Sequence, residues 1–535
     1  MTTTIARGLW LLGLATVAFG QPAATPAGNR PAAKAAFDEA RGLFSTDLNA
    51  SVAGLRKAID LDPDYAEAHQ YFILYSSVAA SRTAGTDEEK KAASEKSAKD
   101  VEALYQQWAK EHPDKGIYQY SLGQIYDYKD PDRSVRYYEQ AVKLDPKCGA
   151  AFDMLAISAE EKGDLPLSRA LHRQAVEAQP DNVTLWRHLV GSWHEENIDR
   201  ALEIGMEMAQ RFPDEAASII SYLGTRARTT EKARAIYELL HEKFTKASVG
   251  SLPSLFSIYL ASDRTKALAL AQEMVALAPE NKVWPVLVTY AQAVIDSDGL
   301  IAQGKSAEVV AALEKIVLPR YGVDKRVLDL TRAKALAASG AVEKAYGDLL
   351  AGFARNPNDD VQAALRTYGQ KLGKTATQVN AEVIARREAT AKPGVPFSLV
   401  NYATGQPVSL EDYQGRVVMV NFWYPKCGPC RGEFPFLQSV LEKYQSRGFA
   451  ILAINGHAPE DEWVMPLIKG WKLGFTPLKG TEEIVKNYKV RGFPSNYLYG
   501  PDGRIYYEPP PVNGLVAERE LELQIEALLA LAKKS

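Results

Sequence analysis

From Asn29 to about Thr390 the apolar residues recur at intervals of three and four, the spacing that lines one face of a helix. The stretch Ala391-Lys392-Pro393-Gly394-Val395-Pro396 breaks that rhythm. Beyond it, short apolar runs alternate with helical segments to the end of the chain. The pattern predicts a multidomain chain, an all-α region followed by an α/β domain, with the boundary in the Pro/Gly linker.

The helical region repeats itself. The phrase KAIDLDPDYAEA, Lys57 to Ala68, recurs as QAVKLDPKCGAA, QAVEAQPDNVTL and MVALAPENKV. Turn prolines Pro113, Pro146, Pro180 and Pro213 are spaced by 33, 34 and 33 residues, and Pro279 follows 66 further on. This resembles the tetratricopeptide repeat, a helix-turn-helix unit of 34 residues. Pro63 precedes Pro113 by 50 residues, an excess of 16 that matches the charged stretch Ala80–Asp100, which should extend a helix or form an exposed loop. Eight or nine units are expected over 34–357, with a capping helix pair over 358–390. One helix pair cannot bury its apolar face alone, so such units stack into a superhelix with a long concave groove suited to a protein partner. Tyr118, Tyr120, Tyr137, Tyr138 and Trp186 read as the core of that stack, and Cys148 as a small helix-packing residue.

In the α/β part, the run Val417–Trp423 has the length and β-branched content of a buried strand. Cys427-Gly428-Pro429-Cys430 follows at once, and then an amphipathic helix. The dithiol thus sits where a strand feeds a helix, whose first turn carries unpaired N–H groups and about half a positive charge. Cys427 at the N-cap should expose its sulfur and ionise easily, while Cys430, one turn on, is shielded and close enough to pair with it. Cys427 is therefore the expected attacking thiol and Cys430 the resolving one. Further elements are expected at Phe449–Asn455 (strand), from Asp461 through Pro466 (helix), Glu482–Tyr488 (helix), Ser495–Tyr499 and Arg504–Tyr507 (a hairpin), and Ala517–Lys533 (helix). His457 falls in a loop and reads as a solvated residue.

VNFWYPKCGPCRGEFP resembles the active-site stretch of the TlpA/ResA-like thioredoxin-fold oxidoreductases, in the redoxin superfamily. PGVPFSLVNYATGQPVSLEDYQGRVV upstream and VRGFPSNYLYGPDGRI downstream resemble the lead-in hairpin and cis-proline segment of that family, so the likeness spans residues 392–535. It implies a thioredoxin-like domain, thiol-disulfide chemistry without a cofactor, a redox-active disulfide Cys427–Cys430, and a cis bond between Phe493 and Pro494 facing the cysteines. Partners would be a protein disulfide and a redox protein that recycles the dithiol. Two residues depart from the family pattern. Lys426 stands where a Trp is usual and should favour the thiolate by its charge. Asn421 stands where ordinary thioredoxins bury an acid, and it cannot relay a proton. Glu433, one turn beyond Cys430, is the nearest acid and reads as either a proton-transfer group or a solvated helix residue.

Composition narrows the field further. Charged residues make up 24% and the formal net charge is −3, with no basic stripe for nucleic acid. Three cysteines in 535 residues make no disulfide scaffold, and the seven histidines show no ligand spacing, so no metal is expected. Residues 1–20, with Arg7, the apolar run Leu9–Phe19 and Ala18-Phe19-Gly20, read as a secretory signal, followed by a disordered leader over 21–33. Export to the periplasm or beyond is expected, with an uncleaved N-terminal anchor as the alternative. An interaction scaffold with an idle redox domain is the rival reading of the whole, disfavoured by the intact dithiol. A thiol peroxidase is disfavoured because Tyr424 stands where such a site would use Thr or Ser. The Gly-Pro between the cysteines resembles reducing thioredoxins. The array is expected to gather a partner near Cys427 without altering the intrinsic chemistry of the dithiol.

Overall fold

The structure, a computed structural model, describes residues 29–532 apart from 84, 128, 195, 320–322 and 513. The apolar run Leu9–Phe19 and most of the leader expected at 21–33 lie outside the described residues. The leader ends sooner than expected, because a helix starts at Arg30, capped by the Asn29 side chain accepting from the Ala32 N–H. Among the described residues, twenty α-helices precede the first strand, and no helix is long and apolar enough to cross a membrane.

Contacts divide the chain into two compact units: one runs to Glu160 and takes in Asp164–Leu189, the other comprises Glu161–Gly163 and Val190–Ser535. In the first unit, the recurring Leu-Asp-Pro turns have a visible cause. The Asp62 and Asp145 carboxylates each accept from an N–H two residues on, at Asp64 (3.1 Å) and Lys147 (2.9 Å), which ends one helix and sets the next. Small residues let helices close up: a Cβ on Gly123 would lie 2.3 Å from the Tyr138 ring. The second unit uses the same device, where a Cβ on Gly224 would lie 2.7 Å from the Tyr237 ring. Tyr118, Tyr120, Tyr138 and Trp186 are buried, and Tyr137 is half-buried. Cys148 is buried too, and burial pushes its thiol up to about 12. Of the charged insert, the described residues up to Thr83 end the helix Ala66–Thr83, and those from Asp87 start the helix Asp87–Glu111 behind a Thr86–Glu89 capping box.

The second unit carries helices from Ile198–Ala209 to Ala376–Glu388 and then the α/β domain. Strands β1 (Ser398–Val400) and β2 (Pro407–Ser409) form an antiparallel hairpin. The main sheet has β3 (Val417–Trp423), β4 (Phe449–Asn455), β5 (Thr476–Lys479), β6 (Ser495–Tyr499) and β7 (Ile505–Tyr507), in spatial order β5-β4-β3-β6-β7. The pairs β3–β4 and β4–β5 are parallel, while β3–β6 and β6–β7 are antiparallel. Every residue of β3 and β4 is buried, which is why they read as continuous apolar runs rather than as alternating ones. Met419 and Trp423 pack on one face with Phe434 and Leu437, while Val418, Val420 and Phe422 pack on the other with Leu452 and Ile454. Sequence reasoning missed β5, a four-residue edge strand containing Pro477, a residue tolerated only where no inner ladder bond is lost.

Candidate functional site

The end of β3 at Trp423 and the start of the helix Gly428–Tyr444 place Cys427 at the N-cap, as the spacing predicts. Its sulfur accepts from the Cys430 N–H at 3.2 Å, and the two cysteines are joined in a disulfide with Cα atoms 5.2 Å apart. Pro429 fills an early helical position whose N–H would have no partner. One expectation is overturned: Cys427 is only 2% exposed, because its sulfur lies in the buried cluster against which Tyr424 and Phe493 pack. The Tyr424 ring stands edge-on to Phe493 at 5.3 Å and tilted to His457 at 5.5 Å. Gly456 makes room for Phe493, since a Cβ there would lie 2.4 Å from the ring. The Phe493–Pro494 bond is cis, as the family resemblance implies. His457 is half-buried, and that burial lowers its imidazole below the ordinary 6.5.

Glu433 is fully buried, so the solvated reading of this residue is wrong. Helical spacing puts it one turn beyond Cys430 on the same face. Asn421 donates to its Oε1 at 2.7 Å, while Asn496 (3.1 Å) and the Val512 N–H (3.0 Å) donate to its Oε2. Asn421 also donates to the Asn496 Oδ1 at 2.7 Å, because β3 and β6 place the two asparagines opposite each other. Asn421 thus holds the acid that it was read as replacing. Burial pushes the Glu433 carboxyl up to about 7 against the pull of the Val512, Asn496 and Asn421 donors and the Arg226 charge. A carboxyl poised near neutrality can exchange a proton with a neighbouring thiol.

Lys426 is differently employed than expected. Its side chain is 6% exposed, its ammonium lies 3.8 Å from Glu161 and 5.1 Å from the Trp463 ring, and its N–H donates to Glu460 at 2.7 Å. Carboxylates therefore counter the charge that was expected to act on the sulfur alone. Glu460, held up to about 7 by burial, escaped notice in the sequence, as did Asn496. Polar residues in apolar strands were the available signal for Asn496. Nothing local marks Glu460.

The histidines look scattered in sequence, yet helices of the first unit bring His172 and His188 to one carboxylate. Their Nδ1 atoms donate to Asp153, His172 at 2.9 Å and His188 at 2.9 and 2.8 Å to the two oxygens. Burial works to raise Asp153, but the imidazoles outweigh it and hold the carboxyl well below its usual range. These groups could offer ligand atoms to a cation. Ring N–H donors at hydrogen-bond distance already account for their arrangement.

The pattern of the AhpC/TSA family matches residues 391–508. The thiol-disulfide oxidoreductase ResA of Bacillus thuringiensis subsp. konkukian (strain 97-27) is 30% identical over 128 residues, which cover 24% of this chain and 72% of that one. ResA of Bacillus subtilis (strain 168) is 25% identical over 130 residues, with the same coverage of 24% and 72%. Among solved structures, a thiol:disulfide interchange protein from Bacteroides sp. is 25% identical and aligns with 25% of this chain and 90% of that one, at a TM-score of 0.23. Through its C-terminal domain, the chain belongs to the family of ResA-type thiol-disulfide oxidoreductases.

Proposed function

We propose that this protein is an exported reductant of protein disulfides, in which the helical repeats hold a protein partner near the CGPC dithiol. The observation that carries the reading is the stacking of groups along one helix: Cys427 at the N-cap, Cys430 a turn later, and the buried Glu433 a turn beyond, its carboxyl near 7. In the reduced protein the Cys427 thiolate attacks a substrate disulfide, forming a mixed disulfide and expelling one substrate thiolate. Cys430 passes its proton to the Glu433 carboxylate and attacks the Cys427 sulfur. The second substrate thiolate leaves and the Cys427–Cys430 disulfide closes. Two electrons have moved from the dithiol to the substrate, whose thiolates take up protons from solvent. No cofactor is needed, because the electrons are stored in the sulfurs, and a separate redox protein must return them.

Direction rests on the Gly-Pro between the cysteines, export on the apolar run behind Arg7, and partner docking on the repeated helix pairs. Equilibrating the full chain with a dithiol buffer and measuring its reduction potential tests the direction. A value near that of reducing thioredoxins, about −270 mV, is expected, and one near the strong oxidants, about −120 mV, would reverse it.

A further inference from the structure

The redox centre takes in a residue from outside the α/β domain. The helix Pro213–Arg226 ends at Arg226, where the chain turns extended at Ala227, and Arg226 is only 3% exposed. Its Nη2 donates to the carbonyl oxygen of Gly432, the residue between Arg431 and Glu433 on the active-site helix. Local sequence makes this approach possible. Pro435 has no N–H to bond the Arg431 carbonyl, so the helical bond next to Gly432 is missing. Gly432 keeps the face clear, since a Cβ there would lie 3.3 Å from the Arg226 Nη2. The guanidinium also stacks on Phe436, its carbon 4.8 Å from the ring centroid, and Arg228 covers the same ring at 4.3 Å while pairing with Glu518 at 3.4 Å. A Cβ on Gly514, at φ 94°, would lie 2.1 Å from the Thr225 carbonyl, so the seat is close-fitting beside Arg226 as well.

A guanidinium buried this deeply must be compensated by hydrogen bonds and opposite charge. The carbonyl and the ring supply part of this, and the Arg226 cation in turn draws the Glu433 carboxyl toward ionisation against the effect of burial. We propose that Arg226 is a positioning residue of the redox centre: it holds the turn that carries Glu433 next to the dithiol, so the helical region tunes the dithiol chemistry. The expectation that the array leaves the intrinsic chemistry untouched is then replaced by direct participation. The inference rests on the reading of Glu433 as the group that takes the Cys430 proton.

The test measures, in the full chain, the pH profile of single-turnover reduction of a model disulfide peptide. The variants are Arg226→Gln and Arg228→Gln, each made with native Glu433 and with Glu433→Gln. Without the Arg226 cation the Glu433 carboxyl should hold its proton to higher pH, raising the midpoint of the profile by ~1 pH unit, as loss of a neighbouring opposite charge does. R228Q should leave the midpoint in place while lowering thermal stability. In the E433Q background neither arginine variant should move the profile. An unmoved midpoint in R226Q, or equal shifts in R226Q and R228Q, would reduce Arg226 to structural glue and overturn the inference. If E433Q itself left the profile unchanged, the proton-transfer reading of Glu433 would fail instead. Should R226Q not fold, Arg226→Met carries the test, because it keeps an unbranched apolar stem over Phe436 and removes the cation. A midpoint shift seen only with native Glu433 supports the proposal, and an unmoved midpoint overturns it.

Discussion

Replacing Glu433 by Gln in the oxidised protein, where neither Cys427 nor Cys430 titrates, isolates the acid beneath the disulfide. The folded carboxyl holds its proton to about 7, whereas an unperturbed one releases it near 4.5. The folded state therefore binds more protons between these values, and its stability is full below about 4.5 and falls as pH rises through about 7. Between pH 5 and pH 8 this single group should remove about 2–3 kcal/mol of stability. E433Q should lose that slope. It should also be less stable than the native protein at pH 5, by about 1–3 kcal/mol, because Gln brings an NH2 donor to a place where Asn421, Asn496 and Val512 already donate. Glu460, also raised to about 7 by burial, gives a slope of the same sign that the variant retains. Urea unfolding at pH 5 and pH 8, followed by the fluorescence of Trp423, Trp463 and Trp471, measures the difference. Equal pH slopes in the two proteins would refute the assignment of a protonated, buried Glu433.

Three other outcomes follow from separate parts of the structure. In the reduced protein at neutral pH, Cys427 should be alkylated ~10-fold faster than Cys430 because of its N-cap position; Cys148, buried and pushed up to about 12, should stay unreactive until unfolding, which peptide mapping would show. Gly123→Ala drives a Cβ to 2.3 Å from the Tyr138 ring and should destabilise the first unit by about 1–3 kcal/mol in thermal melts, an effect that unchanged melting would exclude. Asp153→Asn removes the carboxylate shared by His172 and His188 and should destabilise by about 1–3 kcal/mol. The Asp153 contribution is present above pH 3.8 and lost as pH falls below it, so the penalty should shrink in acid and would be misassigned if it grew there.

Much of this organisation is legible in the chain itself. The bounds of β3 and β4 coincide with their apolar runs, because strands buried on both faces need no polar alternation. The Leu-Asp-Pro turns and the dithiol at a strand-to-helix junction are local chemistry, readable from a few residues. What escaped was tertiary. Glu433 looked solvated because an acid on an amphipathic helix usually is, and only the register of β3 with β6 brings Asn421 and Asn496 to it. The exposure expected of Cys427 failed because Tyr424 and Phe493, far apart in sequence, pack against the same buried cluster. Arg226 lies over two hundred positions before the residue it contacts, and no spacing rule connects them.

The most direct test of the central claim, attack by Cys427 and resolution by Cys430, is to mix reduced full-length Cys430→Ser and Cys427→Ser variants with a model disulfide peptide. Adducts would then be mapped by mass spectrometry. The account predicts a stable mixed disulfide at Cys427 in the Cys430→Ser protein, and ~10-fold less adduct, or none, in the Cys427→Ser protein. A faster adduct at Cys430, or no adduct in either protein, would contradict it.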